Sequence, residues 1–274
     1  MQYTVARSSA PACYPSRVKL AQGASWDKLP DGYDPVEFTD PSVLANAEDL
    51  ESGKKWADVE RPPLSVLGKR KSFAAGDASS VDAVASVDEV FKRFRNPGGP
   101  VGLCGRGLLG RYGPNHAADP IVTRFHNGRL QVVLVRRRDS DELAFPGGMV
   151  DPGSTVSRTL KGEFTEEAAK PGGAVDRLFA EGERGVVYRG IVDDRRTTDH
   201  AWIETTAVHF HAPPDVADEL ELSVTDVNEV SGVGWFDVDT VTTLYASHKE
   251  WLEMVKAKFY PPVLTGAAYP FARR

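Results

Sequence analysis

Three glutamates that follow a glycine-rich loop are the residues most able to do chemistry in this sequence. Glu163, Glu166 and Glu167 lie in the segment "PGGMVDPGSTVSRTLKGEFTEEAAK", residues 146–170. Glu163 and Glu167 are one helical turn apart, so both side chains would stand on one face of a helix. Like charges at that spacing repel each other unless a cation lies between them. Carboxylate oxygens are the ligands that Mg²⁺ and Mn²⁺ prefer, so the segment predicts a metal site.

The residues around these glutamates predict a tight loop followed by a helix. Gly147, Gly148 and Gly153 allow the loop backbone to approach a ligand closely. Ser154 is the expected N-cap, and the helix is expected to reach Lys170, where a Pro-Gly-Gly sequence stops it. A solvated acidic helix face is the ordinary interpretation of such a glutamate cluster. The glycine loop upstream and the helix stop downstream favour the metal site instead.

Composition limits the classes of function. The chain has 274 residues, of which 41 % are hydrophobic, enough for a sizeable core in two compact units. It contains no apolar run near the ~18–20 residues that a transmembrane helix needs, so we expect no membrane span in this chain. The net charge of −6 argues against nonspecific nucleic-acid binding, which needs a cationic surface.

The cysteine content and the first residues bear on location. Cys13 and Cys104 are far apart and lack the spacing of metal ligands, which favours a reducing, cytoplasmic setting. No acidic residue precedes Asp27, which faintly suggests a transit peptide and makes a mitochondrial location the alternative.

Periodicity predicts a mixed α/β (α+β) fold in the second half of the chain. Two β-branched runs flank Asn127-Gly128, a strong hairpin signal. Ser247 and Glu250 fit a capping box at the start of a C-terminal helix. Residues 69–100 are low in complexity and predict a variable loop. The remaining predicted strands are 185–192, 201–212 and 232–238.

The glutamate segment resembles the Nudix box, G-x5-E-x7-R-E-U-x-E-E-x-G-U, in which U is a bulky apolar residue. Gly148 matches the first glycine, Glu163 the glutamate after the arginine, and Phe164 the bulky residue. Glu166 and Glu167 match the acidic pair.

Three positions depart from the box. Ser154 replaces its first glutamate, Gly162 its arginine, and Ala169 its last glycine. The glutamate and the arginine usually form an ion pair, and losing both leaves no orphaned buried charge. A glycine inside a helix costs about 1 kcal/mol relative to alanine, so we expect a more loosely held site and slower turnover.

The resemblance extends over nearly the whole chain. The segments "GRGLLGRYGPNHAADPIVTR", "DDRRTTDHAWIET" and "YDPVEFTDPSVLA" resemble the ADP-ribose pyrophosphatases and the Nudix-homology domain of melastatin-type, ADP-ribose-gated cation channels. The resemblance implies an α/β/α sandwich, residues 116–274, with a smaller N-terminal cap domain, residues 1–115. It also implies Mg²⁺-dependent hydrolysis of ADP-ribose to AMP and ribose 5-phosphate, with Mn²⁺ as an alternative ion.

The same resemblance assigns the site residues. Glu163 and Glu167 would be the principal metal ligands, Glu166 a supporting ligand, and the Gly147 carbonyl a backbone ligand. The general base would be Glu166 or an acid in the 213–230 loop. The residues implied in substrate binding are Asp194, Arg196 and Tyr245, with Arg106, Asn115 and His116 near the join of the two domains.

Several of these assignments have structural alternatives. In the 213–230 loop the candidate bases are Glu219 and Glu221, and each could equally be a surface charge. His116 and His248 could serve in packing, and the apolar surroundings of Trp202 favour a core position.

Two functions follow from the resemblance. The first is an active ADP-ribose hydrolase, either standing alone or as the enzymatic end of a channel. The second is a non-cleaving ADP-ribose sensor whose partner is the remainder of a tetrameric cation channel. The intact glutamates favour the first function, and the changes at Ser154 and Gly162 favour the second.

Overall fold

The computed structural model of the protein describes residues 3–47, 56–60, 62, 72–73, 95–151 and 153–260. Most of the predicted variable loop, 69–100, therefore lies outside the described residues. Within the described ranges, no helix is both long enough and apolar enough to cross a membrane.

The first part of the chain forms short elements. They are α1 (Val5–Ser8), β1 (Glu37–Thr39), α2 (Pro41–Ala45) and β2 (Cys104–Gly107). Strands β1 and β2 pair in parallel as a two-stranded sheet. Helix α2 begins after Asp40, whose side chain accepts a hydrogen bond from the Ser42 amide at 2.9 Å and so caps the helix.

The second part is built on a seven-stranded mixed sheet. Its neighbours run in the order β5-β4-β3-β8-β7, with β6 on β3 and β9 on β4. Only the β3–β8 pairing of this sheet, as the structure describes it, is parallel. The strands are β3 (Gly113–His126), β4 (Arg129–Arg137), β5 (Leu143–Ala144), β6 (Gly148–Met149), β7 (Glu183–Val192), β8 (Ala201–His211) and β9 (Val230–Asp237).

The hairpin predicted from Asn127-Gly128 is confirmed. It joins β3 to β4, and His126 faces Arg129 across the turn. Asn127 has φ 50° and Gly128 has φ 76°, the left-handed conformation that a two-residue turn of this type requires. The other predicted strands are confirmed too, with their ends slightly shifted.

Helices cover both faces of the sheet. They are α3 (Val156–Glu167), α4 (Gly173–Glu181), α5 (Pro214–Glu219) and α6 (His248–Phe259). Because side chains alternate along a strand, Val133 and Val135 of β4 pack with Phe164 of α3, whereas Val132 and Leu134 pack in the core that contains α6. The layers are helix, sheet and helix, so the expected α/β/α sandwich is confirmed.

The predicted caps of two helices are wrong, although the predicted start of the second helix is confirmed. Helix α3 begins after Thr155, not Ser154, because the Thr155 hydroxyl accepts the hydrogen bond from the Arg158 amide at 3.2 Å. It also ends at Glu167, before Lys170. Helix α6 does begin after Ser247, but that side chain makes no capping hydrogen bond, so the predicted capping box does not form.

A buried carboxylate ties the N-terminal segment to the main sheet. Asp193, directly after β7, accepts hydrogen bonds from the amides of Thr4, Val5 and Ala6 at 2.6, 2.8 and 2.9 Å. These amides begin α1 and have no partners within their own helix. One carboxylate therefore satisfies the start of a helix that is almost two hundred positions away in the sequence.

A second carboxylate makes the same kind of contact before β8. Asp199 accepts hydrogen bonds from the amides of Val101 and Gly102, at 2.6 and 3.2 Å, and from the Tyr33 hydroxyl. Strand β3 begins at Gly113, so the predicted domain boundary between 115 and 116 falls within this strand and stays a prediction.

Replacing Asp193 with alanine should lower the free energy of unfolding by about 2–3 kcal/mol. The loss is expected because the substitution removes charge-assisted hydrogen bonds and leaves buried amides without acceptors. Urea denaturation measures the change. Asp215 is the control, since its side chain is 66 % exposed in an ion pair with Arg177 and its loss should change stability by less than about 0.5 kcal/mol. Equal losses of unfolding free energy in the two variants would contradict the stabilising role assigned to Asp193.

Candidate active site and metal centre

One cavity of about 320 Å³ brings the predicted acids together. Glu163, Glu166 and Glu167 line it from α3, and Gly147 and Gly148 line it from the loop at β6. Asp194, Arg196 and Tyr245 line the same cavity. The structure thus collects in one place most of the residues that the sequence assigned to metal and substrate.

The glycine loop packs directly on the carboxylates. The Gly147 amide donates a hydrogen bond to Glu167 Oε2 at 2.9 Å. A Cβ added at Gly148 would lie 2.2 Å from Glu163 Oε1, and one added at Gly147 would lie 2.3 Å from Asp119 Oδ1. An added Cβ at either position would displace the end of a carboxylate side chain, so glycine here lets the carboxylates pack directly against the loop backbone.

The same packing makes the carboxylates costly to ionise. Burial, followed by the charges of the neighbouring Glu167 and Glu166, raises the pKa of Glu163 to about 8. Burial also raises the pKa of Glu167 to about 7, although the Gly147 amide opposes this. A divalent cation would remove the repulsion, so the electrostatics fit a metal site.

The acids do not form a complete metal cage by themselves. In the part of the chain that the structure describes, no group of three or more His, Cys, Asp and Glu side chains is arranged to hold a metal ion. Mg²⁺ commonly keeps several water ligands and takes only one or two carboxylates together with substrate phosphates. The donor set of Glu163, Glu167 and the cavity walls fits that mode of binding.

Four further acids that line the cavity were missed by the sequence analysis: Asp119, Asp151, Asp226 and Glu229. Asp119 lies on β3 at the cavity floor, and burial raises the pKa of its carboxyl to about 6. Asp226 and Glu229 line the cavity from the loop before β9. For Asp226 and Glu229, the sequence indicated only that an acid of the 213–230 loop could reach the site. The spacing of the acids in that loop does not show which of them face the cavity.

Backbone hydrogen bonds bring this loop to the cavity. The amides of Thr225 and Asp226 donate to the Glu166 carbonyl at 2.8 and 2.9 Å. The two candidate bases that the sequence analysis named in this loop, Glu219 and Glu221, do not line the cavity. Glu219 pairs with Arg177, and Glu221 pairs with Lys170 at the surface. The 213–230 loop therefore does reach the cavity, but through Asp226 and Glu229.

Asp194 holds Arg196 in a fixed orientation. Nε and Nη2 of Arg196 donate to the two carboxylate oxygens at 2.8 and 2.9 Å, and the Tyr245 hydroxyl donates at 3.1 Å. Burial alone would raise the pKa of Asp194, but the Arg196 guanidinium and these hydrogen bonds lower it to about 2. The group is a charged, prearranged pair at the cavity wall.

Arg106 and Asn115 are taken up by structural contacts. Arg106 is fully buried, and its guanidinium donates to the carbonyls of Asp58 and Gly110. The Asn115 amide bonds to the backbone of Arg111 at 2.8 Å in both directions. Neither residue lines the acidic cavity, because both side chains fasten the chain around β3 instead.

His116 lies in a second cavity, of about 330 Å³, that adjoins the first. Trp56, Leu108 and Met149 give this cavity a largely apolar lining. Met149 and Arg196 line both cavities, so the two share a wall.

His248 lies at the floor of the acidic cavity. Its Nδ1 accepts a hydrogen bond from the Phe145 amide at 2.9 Å, and its Nε2 is 4.0 Å from Asp119 Oδ1. Burial and, after it, the charge of Arg137 lower the pKa of His248 to about 3, so the imidazole is neutral. Trp202 is buried beside Glu204, as the core interpretation predicted.

The changes at Ser154 and Gly162 do not prevent the three glutamates from lining the cavity. The Ser154 hydroxyl is 3.5 Å from the Thr159 hydroxyl, and a Cβ at Gly162 would meet only Glu166 Oε1, at 3.9 Å. The space beside Gly162 is therefore open. The expectation of slower turnover stays a prediction.

The fold and the site define a family. A helix–sheet–helix sandwich holds a glycine loop against an E-x-x-E-E helix, and the family profile of the NUDIX domain matches residues 114–256. The chain therefore belongs to the Nudix family of hydrolases. Members of this family generally use divalent metal ions such as Mg²⁺.

Further similarities narrow the group of relatives. The profile described as "NUDT9-like, N-terminal domain" matches residues 21–113. The chain is 40 % identical over 256 residues to the mitochondrial ADP-ribose pyrophosphatase of Rattus norvegicus, a match that covers 82 % of this chain and 69 % of the relative. It is 41 % identical over 239 residues to a nudix hydrolase of Caenorhabditis elegans, covering 84 % and 86 %. It is also 37 % identical over 253 residues to a transient receptor potential cation channel, "subfamily M member-like 2", of Nematostella vectensis, covering 83 % of this chain and 16 % of the channel.

The metal-free protein should become less stable as pH rises. Glu163 and Glu167 have folded pKa values of about 8 and about 7, above the ordinary value of about 4.3. Their neutral forms favour the fold, so this contribution is complete below about pH 4 and is lost as pH rises through 8. In EDTA, the melting temperature should fall between about pH 5 and about pH 9. The melting temperature of the Glu163→Gln variant should fall less over the same pH range. An equal fall would contradict the raised pKa of Glu163.

Replacing Gly148 with alanine should weaken Mn²⁺ binding by about tenfold, because the new methyl group displaces Glu163. Isothermal titration calorimetry measures the affinity. Gly173→Ala is the matched control, since nothing lies within 4 Å of its added Cβ. Unchanged Mn²⁺ affinity in Gly148→Ala would show that Glu163 is not a ligand.

Proposed function

We propose that this chain hydrolyses the pyrophosphate bond of ADP-ribose to AMP and ribose 5-phosphate, with Mg²⁺ or Mn²⁺ as the metal. The observation that carries the proposal is the single cavity in which the α3 carboxylates face the Asp194–Arg196 pair. A metal-bound diphosphate is the chemical group that both walls of such a cavity would recognise. The relatives named above as an ADP-ribose pyrophosphatase and a nudix hydrolase support the choice of substrate.

Glu163 and Glu167 would hold the metal, with Glu166 as a supporting ligand and the Gly147 carbonyl as a backbone ligand. When bound, the metal would supply charge neutralisation of the diphosphate and activation of water. The protein supplies the rigid placement of the carboxylates through the Gly147 amide and the close contact at Gly148. Glu229 and Glu166 are the candidate groups for accepting the proton of the attacking water, since both line the cavity.

The adjoining cavities fit a substrate with two different ends. The acidic cavity would hold the diphosphate, and the apolar cavity beside Trp56 and His116 would hold a nucleoside portion. Arg196 lies in the wall between them and would bind a phosphate or ribose oxygen. Tyr245, which fixes Asp194, would contact the substrate from the same wall. Of the other predicted contacts, His116 and Asn115 both line the apolar cavity and keep a place in this proposal, whereas Arg106 acts by holding the cavity wall.

The similarity to a cation channel supports the second candidate function, a non-cleaving ADP-ribose sensor. Because the chain aligns with 16 % of the Nematostella vectensis channel, a chain of this kind can form part of a larger polypeptide. In that case its partner would be the remainder of a tetrameric cation channel, and ADP-ribose would act as a gating ligand. The cytoplasmic location predicted from the cysteines stays a prediction, and so does the mitochondrial alternative, since one relative is named as mitochondrial.

Formation of AMP from ADP-ribose tests the proposal. Purified protein with ADP-ribose and Mg²⁺ should release AMP, measured by chromatography. The Glu163→Gln variant should be at least about a hundredfold slower, because it removes a ligand charge from the site. Tight ADP-ribose binding with no more AMP than this variant produces would replace the hydrolase by the non-cleaving sensor.

Replacing Arg196 with lysine should lower kcat/KM for ADP-ribose by roughly 10- to 100-fold. Lysine keeps the charge but cannot make the two parallel hydrogen bonds to Asp194 that fix the guanidinium. Steady-state kinetics measure the loss. Arg177→Lys is the control, since Arg177 lies in surface ion pairs away from the cavity and should retain full activity. Full activity of Arg196→Lys would exclude a role in substrate binding for the Arg196 guanidinium that Asp194 holds.

A further inference from the structure

A third cavity lies on the other side of α3 from the carboxylates. It has a volume of about 610 Å³ and opens between α3, α4 and the paired strands β7 and β8. Leu160 and Lys161 of α3 line it, whereas Glu163 lines the acidic cavity. Lys161 and Glu163 are about 200° apart around the helix. The two cavities are therefore separate, and one helix forms a wall of each.

The lining of this cavity is basic at the rim. Among the described residues that line it, four are basic and one, Asp176, is acidic: Arg158, Lys161, Arg184 and Arg189. Asp176 pairs with Lys161 at 2.6 Å, which leaves an excess of positive charge. Since the whole chain has a net charge of −6, this concentration of cations is a local feature that would attract an anion.

The interior of the same cavity is apolar and aromatic. Phe179, Val208 and Phe210 line it, and Val186 is 56 % exposed on the edge strand. The pairing register of β7 shifts between Val186 and Tyr188, so a bulge interrupts the strand there. A flat apolar group could lie against this surface while an attached anionic group reaches the arginines.

We propose that this cavity is a second binding site, distinct from the acidic cavity, for a small anion that carries a flat apolar group. The positive rim would bind its sulfonate, phosphate or carboxylate, and the phenylalanines would bind its ring system. The site uses none of the residues assigned to hydrolysis, so it goes beyond the proposed function.

Fluorescence titration with anilinonaphthalene sulfonate, a small aromatic anion, tests the proposal on the full chain. No substrate or metal is added, so the result does not depend on the proposed hydrolysis. The double variant Arg184→Gln, Arg189→Gln should bind the probe roughly tenfold more weakly, because it removes half of the basic side chains of the rim. Equal affinity of the double variant and the unmodified protein would overturn the proposal.

Two controls locate the probe. Arg129→Gln removes an arginine that pairs with Asp237 outside the three cavities, and it should leave the affinity unchanged. Trp56→Ala changes the apolar cavity beside His116 and should also have no effect. Loss of binding in Trp56→Ala, with full binding in the arginine double variant, would place the probe in that other cavity and overturn the proposal.

Discussion

The contact between two buried carboxylates and a glycine backbone is the constraint on which the site depends. Glu163 lies so close to Gly148 that an added Cβ would displace its carboxylate, and Glu167 accepts a hydrogen bond from the Gly147 amide. The packing places acidic oxygens where they repel each other and are poorly solvated. Folding supplies the free energy for this arrangement, and a bound cation would recover part of it.

The rest of the molecule positions the walls around that contact. The α/β/α sandwich sets α3 on one face of the sheet, and the loop before β9 is fastened to the last turn of α3 at the Glu166 carbonyl. The N-terminal part is attached by the same device at Asp193 and at Asp199, a buried carboxylate that accepts backbone amides. Charged hydrogen bonds thus serve both assembly and chemistry in this chain.

Local signals in the sequence predicted local structure well. The Asn127-Gly128 hairpin and the i,i+4 spacing of the glutamates depend on neighbouring residues only, and the structure has both. Asp119 and Glu229 could not be found in this way, because folding alone brings them to the cavity. The family resemblance implied Arg106 in substrate binding, but the sequence alone cannot show that its guanidinium is buried against backbone carbonyls. Ser154 and Thr155 are both competent caps, and only the backbone conformation selects the second.

The bulge in β7 has a consequence for the solubility of the protein. Strand β7 is the last strand in the order of the main sheet, so one of its edges has no neighbouring strand in that sheet. A long regular edge of this kind is a template on which a strand from another molecule can assemble. The register shift between Val186 and Tyr188 interrupts the regular row of amides and carbonyls beside the exposed Val186. The irregular strand therefore protects the sheet against edge-to-edge aggregation.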